Sequence, residues 1–92
     1  MTSENATARV IMVQDDLVTI EALETEDGYN TLMKNEMVHV CPYGTTEKLK
    51  AEVLRVRGHT ADAQVYEDTR GVAVGDSVEQ TGDHWQVIVR KV

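Results

Sequence analysis

Phenylalanine is absent from this 92-residue chain, and Trp85 is its only indole. A core must therefore be assembled from Val, Ile, Leu, Met and Ala, and many β-branched residues in short runs favour strands. A single cysteine, Cys41, can close no internal disulfide, which fits a reducing compartment and predicts a cytoplasmic location. Basic residues are also scarce: nine Lys and Arg stand against sixteen Asp and Glu, for a formal net charge of −7. Nucleic acids and anionic membrane surfaces are held by clustered cations, so neither is expected as a direct partner. No apolar run approaches the roughly 20 residues that span a bilayer, and the polar N-terminus lacks a charged-then-apolar signal pattern.

What is present reads as strand and turn. A chain this short buries only about 60 to 65% of its unfolded surface and has room for one core. Residues 1–7 are small and polar and read as a disordered leader, leaving 8–92 as a single domain. A first strand is predicted over Ala8 to Gln14, a tight turn at Asp15-Asp16, and a returning strand over Leu17 to Ala22. Val10 and Met12 fall on one face there and Arg9, Ile11 and Val13 on the other, so the inward face stays open. The acidic run Glu21, Glu24, Glu26 and Asp27 reads as a solvated loop. Leu23 to Asn35 is the least readable part, compatible with a loop, a one-turn helix or a short irregular edge strand; a loop whose Leu32 or Met33 plugs one end of the barrel is favoured.

Alternation resumes at Glu36 to Cys41, with Val38 and Val40 as core candidates, Cys41 half-buried and His39 exposed. Pro42-Tyr43-Gly44 breaks that strand. A long strand follows over Lys48 to Arg57, and its apolar phase slips near Leu54, which predicts a β-bulge. Gly58-His59 is the hairpin turn, and Thr60 to Tyr66 returns with Ala61, Ala63 and Val65 on one face. Glu67 to Arg70 turns, and Gly71 to Asp76 brackets two apolar plugs between glycines. Short strands are expected over Ser77 to Gln80 and Trp85 to Val89, separated by a turn at Thr81-Gly82-Asp83. No segment sustains a helical period over ten residues. The fold class is thus all-β: a small closed or nearly closed barrel of six to seven antiparallel strands.

Chemistry-bearing groups are sparse. His39 and Cys41 share a strand face, but a structural zinc site needs four ligands in two close pairs, so no metal is expected. The carboxylate pairs Asp15-Asp16, Glu26-Asp27 and Glu67-Asp68 are adjacent residues that point apart, a poor geometry for a general acid and base. Ser77, Asp83 and His84 lack a nucleophile elbow. Trp85 with Tyr66 could stack a base or sugar, although core packing suits Trp85 better. No catalytic or cofactor-binding residue is predicted. The remaining functional surface is a protein interface, with Arg55, Arg57, Gln64 and Tyr66 of the central hairpin and Glu67, Asp68 and Arg70 of the following turn as its candidates.

Three stretches carry a family resemblance: Leu49 to Gly58, the octet Gln64-Val65-Tyr66-Glu67-Asp68-Thr69-Arg70-Gly71, and Val74-Gly75-Asp76-Ser77-Val78 with Thr81-Gly82. They resemble the N-terminal domain of the catalytic A subunit of V-type and archaeal-type rotary ATPases, and the octet is the specific part. The resemblance implies a six-stranded barrel in a collar, with A and B subunits alternating in a ring of six as part of a proton- or sodium-translocating motor. It places such a subunit in the cytoplasm, peripheral to the membrane through the complex. ATP and Mg²⁺ belong to the parent subunit's later domains, because Gly-x-x-x-x-Gly-Lys-Ser/Thr is missing here: Asp76 stands where Lys is required. After Thr81-Gly82 the residues depart from the family pattern. The alternative expectation is a free-standing small-barrel adaptor for a protein or peptide partner.

Overall fold

In a computed structural model, which describes residues 6–26 and 28–84, the chain forms a closed antiparallel barrel. Its elements are β1 (Ala6–Gln14), β2 (Leu17–Ala22), β3 (Glu24–Thr25), β4 (Gly28–Tyr29), β5 (Glu36–Cys41), β6 (Leu49–Arg57), β7 (Thr60–Val65) and β8 (Ser77–His84). Six of them close in the order β1-β2-β7-β6-β5-β8, while β3 and β4 make a separate two-stranded ribbon. Closure leaves β1 and β8 paired, with Ala8 opposite Val78, so the sheet has no long unpaired edge to recruit other chains.

The core follows from alternation. Val10, Val18, Ile20, Val38, Val40, Val53 and Val78 are its largest fully buried side chains. Ala61 and Ala63 on β7 lie between larger neighbours: Ala61 is opposite Ile20 and Val56, and Ala63 is opposite Val18 and Val53. A small residue between two large ones is what lets six strands fill a narrow cylinder without aromatic rings. The outer wall carries charged residues such as Arg9, Glu21, Arg57 and Asp62, the reverse of a lipid-facing barrel. Among the described residues no helix is long and apolar enough to cross a membrane.

Among the described residues the barrel has four register shifts, two of them against β8 and two within the β1-β2-β7-β6 wall. The β6 register shifts between Val53 and Arg55 against β7, where the apolar phase slips in the sequence. The β1 register shifts between Val10 and Met12 against β2. Val10 therefore faces in and Met12 is 51% exposed, so the two do not share a face. Asp15, with φ 54°, makes the β1–β2 turn, as its short acidic side chain allows.

Both barrel ends are covered by crossing segments. Residues 23–35 cross one end, and Leu32 is the plug (7% exposed) whereas Met33 faces out. Buried Glu36 holds this crossing: its Oε1 accepts the Met33 amide at 3.1 Å and its Oε2 accepts Gln80 Nε2 at 2.8 Å. Residues 66–76 cross the other end. Here Val72 packs on the core but Val74 is 67% exposed, so the predicted second plug is absent. The reason lies in Asp76, which draws the chain outward around its own carboxylate: Oδ2 accepts the Ala73 amide at 2.8 Å and Oδ1 the Tyr43 amide at 3.2 Å.

Other expectations are corrected. β1 begins at Ala6, before the expected Ala8, and β7 ends at Val65, before Tyr66. Met37 is buried as well as Val38 and Val40, and His39 is half-buried between β6 and β8, opposite Lys50 and Glu79, so it is not exposed. The loop after Ala22 contains the β3–β4 ribbon, whose Tyr29 stacks on His59 at 3.8 Å between ring centroids. No turn occurs at Thr81-Gly82-Asp83: β8 runs on to His84, because Glu36 and Val38 of β5 pair with His84 and Gln80. The strand expected over Trp85 to Val89 lies outside the described residues.

Candidate interface on the outer wall

Register places the interface candidates on one continuous surface. Across β1, β2, β7 and β6 the outward residues form three rows. The lowest is Arg9, Glu21, Thr60 and Arg57; the middle is Met12, Thr19, Asp62 and Arg55; the upper is Gln14, Leu17, Gln64 and Glu52. Arg55, Arg57 and Gln64 are thus brought together. Tyr66 joins them at the upper rim, where its hydroxyl donates to Glu52 Oε1 at 2.5 Å. That bond, with lesser help from burial and from the Glu52 charge, pushes the Tyr66 phenol up to about 12.

Glu67, Asp68 and Arg70 stand apart from this wall, in the crossing segment above it. Glu67 Oε1 accepts the Lys50 amide at 2.9 Å, so it fastens the segment to β6. Asp68 and Arg70 pair with each other, Nε to Oδ2 at 2.7 Å, and this holds the Asp68 carboxyl below and the Arg70 guanidinium above their usual ranges. Thr69 Oγ1 donates to the Asp15 carbonyl at 2.6 Å, and the Val65 amide donates to the Asp16 carbonyl at 2.8 Å. The octet therefore ties β7 to β6 on one side and to the β1–β2 turn on the other.

Asp62 organises the middle row. Its Oδ1 accepts Arg57 Nη2 at 2.9 Å and Thr19 Oγ1 at 3.1 Å. Nothing in the residue types alone distinguished Asp62 from any other surface acid, and Met12 and Leu54 were likewise not singled out. The bulge phase near Leu54 was the one available signal. Metal chemistry has little to build on: among the described residues no group of three or more His, Cys, Asp and Glu could hold an ion. Cys41 Sγ lies 3.9 Å from the His39 carbonyl, and burial first, then the Glu79 charge, pushes its thiol up. Ser77 is buried in β8.

The closed six-stranded barrel and the sequence together define the class of domain. Residues 27–82 match the ATP synthase alpha/beta family, beta-barrel domain, and the chain belongs to that family. It is 45% identical over 76 residues to the V-type ATP synthase alpha chain of Borrelia duttonii (strain Ly), covering 83% of this chain and 12% of that protein. The alpha chain of Borreliella afzelii (strain PKo) is 46% identical over 77 residues, with 84% and 12% covered. That of Borreliella burgdorferi (strain ZS7) is 44% identical over 77 residues, again with 84% and 12%. The chain thus spans about an eighth of the length of these relatives. The resemblance to V-type catalytic subunits read in the octet and its flanks is borne out, as is the closed antiparallel barrel.

Proposed function

We propose that this barrel is the N-terminal collar of a V-type ATP synthase alpha (A) subunit, holding that subunit in an alternating ring with B subunits. The observation that carries the reading is the family match over residues 27–82 within a closed barrel. The inward positions are filled by aliphatic side chains from each of the six barrel strands, so the available surface is the outer wall. A wall of paired charges and half-buried side chains suits lateral contact with unlike neighbours. The barrel carries no catalysis of its own; ATP, Mg²⁺ and the coupled proton or sodium ion belong to other parts of the motor. The subunit is cytoplasmic and peripheral to the membrane.

The test is a chimaeric alpha chain in which this barrel replaces the matching segment of the Borreliella burgdorferi relative, co-expressed with the other soluble subunits of that motor. Native mass spectrometry is expected to show rings containing the chimaera, and calorimetry to show no Mg-ATP binding by the 92-residue chain alone. A chimaera that folds yet never enters a ring overturns the collar reading.

A further inference from the structure

Arg55 stands directly opposite Asp62 in the β6–β7 register, the position from which a cation would normally neutralise it. That carboxylate is already engaged, through the one oxygen that accepts both Arg57 Nη2 and Thr19 Oγ1. Arg55 is exposed, and no ion pair is formed by it among the described residues, whereas Arg9, Arg57 and Arg70 each have one. The bulge between Val53 and Arg55 adds a second consequence, because it turns two successive side chains outward. Leu54, 39% exposed, is the chain neighbour of Arg55 in that bulge. At the far end of the same row, the β1 bulge turns Met12 outward to 51% exposure. Two independent bulges therefore place two large apolar side chains on one row of one face, with half-buried Leu17 in the row above.

The charge of this face differs from that of the chain. Arg9, Arg55 and Arg57 are set against Glu21, Glu52 and Asp62, so the face is balanced while the whole chain carries −7. Its acids are occupied: Glu21 by Arg9, Glu52 by the Tyr66 hydroxyl, Asp62 by Arg57. Within the three rows, the cation that forms no ion pair among the described residues is Arg55, next in the chain to exposed Leu54. Interface centres are depleted of unpaired charge and enriched in Met, Tyr and Arg, and Arg in such a setting is a common energetic anchor.

Resting on the collar reading, we infer that the β1-β2-β7-β6 wall is the flank that meets the neighbouring subunit. The occupant is an unlike barrel presenting an apolar strip with one carboxylate, which pairs with Arg55. A second copy of this chain is the poorer fit, since it brings −7 against −7.

The chimaeric alpha chain tests this. Arg55→Glu and the pair Met12→Asn with Leu54→Asn are each expected to reduce assembled ring by about tenfold, the loss of an anchor contact. Arg55→Lys, which keeps the charge, retains most assembly. Tyr43→Ser and Lys34→Glu, exposed residues outside the three rows, leave it unchanged. Thermal melting of each 92-residue variant establishes that the barrel still folds. If the wall variants assemble like the parent, the assignment of the flank is overturned and the collar reading stands, whatever Tyr43→Ser and Lys34→Glu do. If the unsubstituted chimaera fails to enter rings, the collar reading falls and takes this inference with it. A tight homodimer of the chain that Arg55→Glu dissolves overturns the choice of an unlike partner.

Discussion

Removing the Asp76 carboxylate is a sharp perturbation of the fold, because one side chain holds two loops. Asp76 is 5% exposed and accepts two backbone amides, from Ala73 on its own crossing segment and from Tyr43 in the β5–β6 connection. Its backbone is tied to β1 as well, with the Val10 amide on the Asp76 carbonyl at 2.9 Å and the Gly75 amide on the Val10 carbonyl at 2.8 Å. A hydrogen bond to a charged acceptor contributes about 1.5 to 3 kcal/mol. Two such bonds set an upper range of about 3 to 6, and water reaching the released amides of two surface loops reduces it to about 2 to 4. Asp76→Ala is therefore expected to lower the melting temperature by about 10 to 20 °C for a domain of this size. Asp76→Asn offers no rescue: one of its two atoms becomes a donor facing an amide donor, so it should lose about as much. Calorimetry and urea unfolding of the two variants decide the matter. A loss under about 4 °C for Asp76→Ala, or an Asp76→Asn variant as stable as the parent, refutes the view that this carboxylate clamps the loops.

Leu32→Ala should cost about 2 to 4 kcal/mol, since the plug leaves a cavity, while Met33→Ala next to it stays within about 0.5; urea midpoints distinguish them. Gly75 has φ +100° with open space where a Cβ would go, so Gly75→Ala should cost about 1 to 2 kcal/mol from backbone strain alone, whereas Gly71→Ala, also unobstructed but without positive φ, is near neutral. For Tyr66 the folded phenol is raised from 10.0 to about 12, so its bond to Glu52 supports the fold below pH 10 and that support is lost as pH rises through 12. Absorbance at about 295 nm should show this tyrosine ionising well above 10, and Glu52→Ala, which removes the acceptor, should bring it down. Cys41, its thiol raised by burial and Glu79, should alkylate slowly near neutral pH, and faster in Glu79→Gln.

The parts of the barrel that could be read in advance are those decided by neighbours in the chain. Thr60 to Val65 alternates cleanly, Gly58-His59 has hairpin chemistry, and the phase slip at Leu54 announces its bulge. The β1 bulge was hidden because Val10, Ile11, Met12 and Val13 are all apolar, and only pairing with β2 decides which of them face in. Leu32 against Met33 and Val72 against Val74 were hidden for another reason: each pair offers equivalent side chains, and a nearby carboxylate, Glu36 or Asp76, selects between them by accepting an amide three residues back in the chain. At Thr81-Gly82-Asp83 the local turn preference survives only as a register shift, because β8 pairs with β5 on either side of it, at Gln80 and His84. The interface candidates were legible as outward residues of a hairpin. That Arg55 forms no ion pair among the described residues was not, because it depends on Asp62 already being held by Thr19, a residue 43 positions away.

The seam between β1 and β8 joins the first and last described strands side by side, and they run antiparallel. Ala6 and His84 accordingly emerge at the same mouth of the cylinder. A pull applied through both would load the seam's hydrogen bonds one after another, like a zip, whereas a sideways push on the wall is shared by several strands at once. A barrel with this connectivity is suited to bear compression from its flanks and poorly suited to tension along its tethers.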